Sequence, residues 1–132
     1  MTSLETIDRF LAAFLASDGA AAATLVTEGF QLITVPMGPG IMTGREALCR
    51  VLEMPSLGFA YAPQQSEHRV VRSVEQGQTV MHERIDRFQF DGQWHELPIA
   101  STFTFREGLI ATQTDYFDLG TYMRIRAASQ LR

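Results

Sequence analysis

Residues 81–94 read MHERIDRFQFDGQW, and this stretch sets the fold. In an extended chain alternate side chains share a face, so His82, Arg84, Asp86, Phe88 and Phe90 project together. Large aromatics turn a strand face into a core, where a charge is costly unless it is paired. Arg84 and Asp86 therefore form either a buried ion pair that fixes the sheet or part of the lining of a pocket. The spacing of arginine and aspartate alone leaves both readings open. Asp91–Gly92 is the strongest short hairpin signal, so this strand turns back into an antiparallel neighbour.

Working outward, residues 66–75, 78–90, 94–106 and 109–117 have strand character. Turns at Gln76–Gly77, Asp91–Gly92 and Glu107–Gly108 join them. The preceding half is helical. Leu4, Ile7, Leu11, Phe14 and Leu15 recur at helical spacing over 3–17, behind a Thr2/Glu5 capping box. Asp18 caps an alanine-rich helix over 19–26, and GFQLITVP (29–36) is a strand ended by Pro36, Gly38, Pro39 and Gly40. In TGREALCRVLEM, Thr43 and Glu46 suggest a second capping box opening a helix that runs to about Met54. Asp118 caps a last helix over 119–127. Helices followed by a meander predict an α+β fold. Its curved antiparallel or mixed sheet forms a cone, with the N-terminal helices packed on the concave side. Such a cone encloses a hollow suited to a small ligand.

The 132 residues are expected to form one domain with a substantial core. At 45% hydrophobic and 20% charged residues, the composition is that of a soluble globular protein. The formal net charge is −4, and all eleven basic residues are arginines scattered along the chain. That pattern argues against a nucleic-acid partner. No apolar run reaches the roughly 20 residues of a membrane span, and the charged N-terminus lacks a signal-peptide core. The lone Cys49 fits a reducing cytoplasm and reads as a small buried hydrophobe. His68, His82 and His95 lack metal-ligand spacing, so no metal is expected.

Asp115 stands near the end of the last strand, on the expected face of Leu109, Ala111 and Phe117. If that face and the Arg84 face both look into the cone, Asp86, Arg84 and Asp115 can meet. Two carboxyls flanking one guanidinium can hold different protonation states, one serving as acid and the other as base. His82 reads as a pocket-wall or hydrogen-bonding residue. Phe88, Leu97, Ile99, Phe103 and Met37 are apolar candidates for the pocket lining, with core packing as the simpler role for each. Glu83 and Tyr116 alternate to the outer face.

ERID (83–86), FTFREGLIATQTDYFDL (103–119) and GREA (44–47) occur in an order similar to that of the limonene epoxide hydrolase family. That family is a branch of the superfamily that includes ketosteroid isomerases and SnoaL-like polyketide cyclases. The resemblance covers about residues 28–124. It implies a catalytic Asp–Arg–Asp set of Asp86, Arg84 and Asp115: Asp115 as general base, Asp86 as general acid, Arg84 bridging both. It further implies a single push–pull step on a small to medium apolar epoxide, with no cofactor, and a homodimer formed through Met81, Ile85 and Thr102 on the outer sheet face. The family holds its water with a tyrosine and an asparagine on the strand before the GREA helix. This chain has neither there, and Thr34 is the nearest polar substitute. An isomerase or cyclase on the same scaffold, or a binder of small ligands, are the alternative expectations.

Overall fold

The computed structural model describes residues 1–37, 41–53, 59 and 62–130. Helix α1 (Ser3–Leu15) starts at Thr2, whose hydroxyl accepts from Glu5 N–H while the Glu5 carboxylate accepts from Thr2 N–H. Asp18 caps the short α2 (Gly19–Ala23). Strand β1 (Val26–Thr34) begins earlier than the sequence suggests, which shortens α2, and runs into a 3₁₀ turn over Val35–Met37. The expected loop residues Gly38, Pro39 and Gly40, and the expected helix end at Met54, lie outside the described residues.

A short strand β2 (Ile41–Thr43) precedes α3 (Arg45–Leu52). The expected capping box at Thr43 and Glu46 does not form. Thr43 is held extended by pairing with Gln31, and the helix cap is Gly44, without a side-chain bond. Gly44 has φ +98, a backbone that glycine adopts without steric cost, and its N–H donates to the Phe30 carbonyl at 2.6 Å. The strand-to-helix corner thus takes the place of a hydroxyl cap.

The meander matches its sequence signals closely. It comprises β3 (Gln65–Gln76), β4 (Thr79–Phe90), β5 (Gln93–Arg106) and β6 (Leu109–Phe117), followed by α4 (Leu119–Ala128) capped by Asp118. Asp91 and Gly92 both have positive φ, as do Glu107 and Gly108, the geometry that two-residue hairpins of matching twist require. The sheet order is β2-β1-β6-β5-β4-β3; β1 and β6 run parallel and every other pair antiparallel.

One irregularity corrects the sequence reading. The β5–β6 register slips between Thr104↔Thr112 and Phe105↔Ile110, so β6 carries an extra residue. Ile110, not Leu109 or Ala111, therefore enters the core, while Gln113 and Asp115 keep the inward face. Strict alternation from Asp115 fails at that bulge.

The inward faces carry two apolar clusters. One gathers Ile7, Phe10, Phe30, Leu48, Leu52, Val80, Phe103 and Ile110 beneath the first three helices. The other joins Phe59, Phe88, Phe90, Leu97, Ile99 and Ile125 beneath α4. Along β4 the inward sequence runs Val80, His82, Arg84, Asp86, Phe88. Its neighbours follow the same course, so a polar band crosses three strands between the two clusters. Among the described residues no helix is long and apolar enough to cross a membrane.

Candidate active site

Hairpin register assembles the band. His82 lies opposite Ser101 and Ser101 opposite Asp115, so β4, β5 and β6 each place polar side chains at one level. Arg84 is 3% exposed and Asp86 6%. Arg84 Nε donates to Asp86 Oδ1 at 2.9 Å, and Nη1 donates to Ser101 Oγ at 2.6 Å. Ser101 passes the contact on, its hydroxyl donating to Asp115 Oδ1 at 2.5 Å. Gln113 Nε2 donates to the same oxygen at 2.9 Å. Arg84 Nη2 stands 3.7 Å from Asp115 Oδ2, an ion-pair distance too long for a hydrogen bond.

Asp86, Arg84 and Asp115 thus meet, with the arginine between the carboxyls. The electrostatics of Asp86 have a definite direction. Burial drives the Asp86 pKa upward, aided by the nearby Asp115 charge, while Arg84 opposes the rise without cancelling it. Two carboxyls and one guanidinium are neutral together when one carboxyl holds a proton, and the upward shift of Asp86 favours its holding that proton. Neutrality is the least costly charge state for groups so far from water.

His82 lies at 3.1 Å from Arg84 Nη1, and its ring packs edge-on against Phe103 at 5.0 Å. Burial and the Arg84 charge, with a smaller effect from His68, lower its pKa to about 4. The neutral ring then accepts from Arg84 through Nε2 and carries its proton on Nδ1. The stability consequence has a definite sign. An unfolded histidine protonates near pH 6.5, the folded one only near 4, so stability is complete above the first value and declines as pH falls toward the second. Urea unfolding of the wild type should lose stability between these limits. His82→Gln, whose amide oxygen can still accept from Arg84, should flatten that decline.

The remaining predicted lining residues divide. Leu97 and Ile99 pair with Asp86 and Arg84 across the β4–β5 ladder, and Phe88 follows Asp86 on the same face. All three are buried beside the charged trio, whereas Phe103 belongs to the deeper cluster under the first helices. Thr34 pairs with Asp115 in the parallel β1–β6 ladder and is half-buried. Met37 is 43% exposed on the 3₁₀ turn, outside both clusters, because that turn ends the strand alternation.

Neither Ser101 nor Gln113 stands out in the sequence as a polar partner. Counting outward from the Asp91–Gly92 turn does place Ser101 opposite His82. The Gln113 contact is partly foreshadowed, since it sits two residues before Asp115. Among the described residues no group of three His, Cys, Asp or Glu side chains is arranged to hold a metal ion.

A mixed six-stranded sheet packed with helices, carrying a buried Asp–Arg–Asp set, defines an α+β protein with the nuclear transport factor 2-like fold. The chain belongs to the limonene-1,2-epoxide hydrolase catalytic domain family, whose model matches residues 1–127. Solved structures agree on the fold. A limonene epoxide hydrolase-like epoxide hydrolase from M. tuberculosis superposes with a TM-score of 0.75 at 18% identity, covering 98% of this chain and 92% of that one. A protein with a ketosteroid isomerase-like fold from Catenulispora acidiphila, in complex with trimethylamine, gives 0.76 at 20% identity, covering 99% and 96%. A protein assigned as a SnoaL-like polyketide cyclase from Jannaschia sp. CCS1 gives 0.72 at 17%, covering 98% and 92%. Comparison with curated proteins finds no match.

Proposed function

We propose that this protein is a cofactor-independent epoxide hydrolase acting on a small to medium apolar epoxide. The observation that carries the reading is the buried Asp86–Arg84–Asp115 set, in which burial keeps a proton on one carboxyl while the other has its Oδ1 tied to Ser101 and Gln113. In a single step, a water attacks a ring carbon and gives its proton to Asp115. The ring C–O bond breaks, and its oxygen takes the proton of Asp86. Asp115 leaves the step neutral and Asp86 ionised, so one proton returned from Asp115 to Asp86 restores the resting state. Arg84 keeps its charge throughout and compensates whichever carboxyl is ionised. The adjoining Phe88, Leu97 and Ile99 favour an apolar substrate.

A panel of cyclic and aliphatic epoxides in oxygen-18 water tests this. Diol labelled at one carbon is the expected product. The same acid–base pair also suits a proton-transfer reaction in an isomerase or cyclase, a reading favoured by the absence of tyrosine and asparagine on β1. Turnover without incorporation of solvent oxygen would select it.

The outer sheet face supports a homodimer within the same proposal. Val74, Met81 and Tyr116 are 65%, 52% and 50% exposed there, with Ile85 and Thr102 half-buried alongside. An apolar patch of this kind on a sheet marks an association surface. Sedimentation should give a dimer for the wild type and a monomer for Met81→Arg.

A further inference from the structure

Asp115 is held asymmetrically. Oδ1 takes two donors, Ser101 Oγ and Gln113 Nε2, whereas among the described residues Oδ2 is approached by Arg84 Nη2 alone, at 3.7 Å. The ties on Oδ1 fix the plane of the carboxylate and leave Oδ2 as the oxygen able to accept a proton.

Gln113 supplies one of those ties and has a second feature. It is 3% exposed, and its Oε1 is buried without a hydrogen-bond partner. Its register partners on the flanking strands are Leu32 and Phe103, neither of which carries a side-chain donor. Turning the amide over would set its oxygen against the Asp115 carboxylate, so the orientation with nitrogen toward Asp115 is fixed by charge. A buried amide oxygen without a donor is expensive and calls for a functional explanation.

We infer that Gln113 holds the nucleophilic water, its Oε1 accepting one proton while Asp115 Oδ2 accepts the one that is transferred. A water donating to two fixed acceptors has both protons engaged, which turns its lone pairs outward toward the ring carbon. The oxygen attacks, one O–H bond breaks onto Asp115, and the proton held by Gln113 remains on the new hydroxyl. Gln113 is thus a positioning residue on β6, doing from the neighbouring strand what β1 lacks the side chains to do. The assignment rests on the hydrolase reading.

Gln113→Met keeps the length of the side chain and removes both amide groups; Gln113→Leu serves as a second apolar variant. With an epoxide that the wild type opens, kcat should fall by about 10²-fold while KM stays within about threefold, the split expected when the water and not the substrate is misplaced. Affinity for the corresponding alkene should hold, and the thermal midpoint should change little, because Asp115 Oδ1 loses one donor but keeps Ser101 while the unpartnered buried oxygen is removed. Wild-type turnover with unchanged kcat in both variants would overturn the assignment and leave the hydrolase reading standing. A loss of kcat carried by Thr34→Val instead would do the same. Failure of the wild type to label any diol would overturn both.

Discussion

Asp115→Asn should reduce epoxide opening by about 10³- to 10⁴-fold, the full contribution of a positioned general base. The amide oxygen can still accept from Ser101 and Gln113, which both donate to Oδ1 in the wild type, so the side chain keeps its place. What it cannot do is take a proton from water. The substitution also removes the charge that helps to raise the Asp86 pKa, so a smaller fraction of Asp86 carries the proton that the ring oxygen needs. Both halves of the push–pull weaken together, which is why the effect should exceed that of losing any other single contact in the site. Single-turnover measurement with the substrate found by the oxygen-18 panel reads the loss directly. Retention of a tenth or more of the wild-type rate would exclude Asp115 as the base.

The second large effect separates activity from stability. Asp86→Asn should lower turnover by about 10²- to 10³-fold, because an amide donates a hydrogen bond to the ring oxygen but delivers no proton. The same substitution should raise stability at neutral and alkaline pH. Burial places the folded pKa of Asp86 above its unfolded value, so the native state binds the proton more tightly. Stability then falls as pH rises from the ordinary carboxyl range to the raised value, where ionisation of the buried acid costs its full desolvation. Asparagine resembles the protonated acid and still accepts from Arg84 Nε, so it escapes that decline. Thermal midpoints of the two proteins should converge near pH 4 and separate in favour of the variant by pH 8. Wild-type kcat should fall only at the upper end of that range, where folded Asp86 loses its proton. A variant less stable than wild type at pH 8 would mean that the Asp86 charge is stabilising, and Asp86 would then not be the acid.

These opposed effects follow from a polar band lodged between two apolar clusters. A chain selected for stability alone would fill that level with aliphatic residues. Under the proposed hydrolase reading, an arginine and two aspartates there trade some stability for reactive groups held in a dry, preorganised setting. The outer face of the same strands carries exposed Val74, Met81 and Tyr116. One meander therefore serves two surfaces, because the two-residue period of a strand lets inner and outer faces differ completely.

Much of this was legible in the chain. Alternation along 81–90 puts Arg84 and Asp86 on the aromatic face, and Asp91–Gly92 and Glu107–Gly108 define hairpins whose turns adopt the expected positive φ values. Local interactions decide those features: the period of a strand, the freedom of glycine, and the Thr2, Asp18 and Asp118 side chains that cap helices within a few residues of themselves. Other features depend on chain segments far apart in sequence. The bulge that moves Ile110 inward arises where β6 must match β5 on one side and the parallel β1 on the other, a constraint absent from β6 alone. Thr43 is drawn into β2 by its pairing with Gln31, so Gly44 becomes the cap. The charge states of the site are likewise tertiary. A carboxyl's proton affinity depends on how much water and which charges surround it, and only the packed sheet brings Asp86, Arg84, Ser101, Gln113 and Asp115 within hydrogen-bond and ion-pair range in a dry interior. Along β4 the sequence by itself determined which side chains face inward; the tertiary structure decided the inward face of β6 and which inward groups touch, and with that the surroundings that raise the Asp86 pKa.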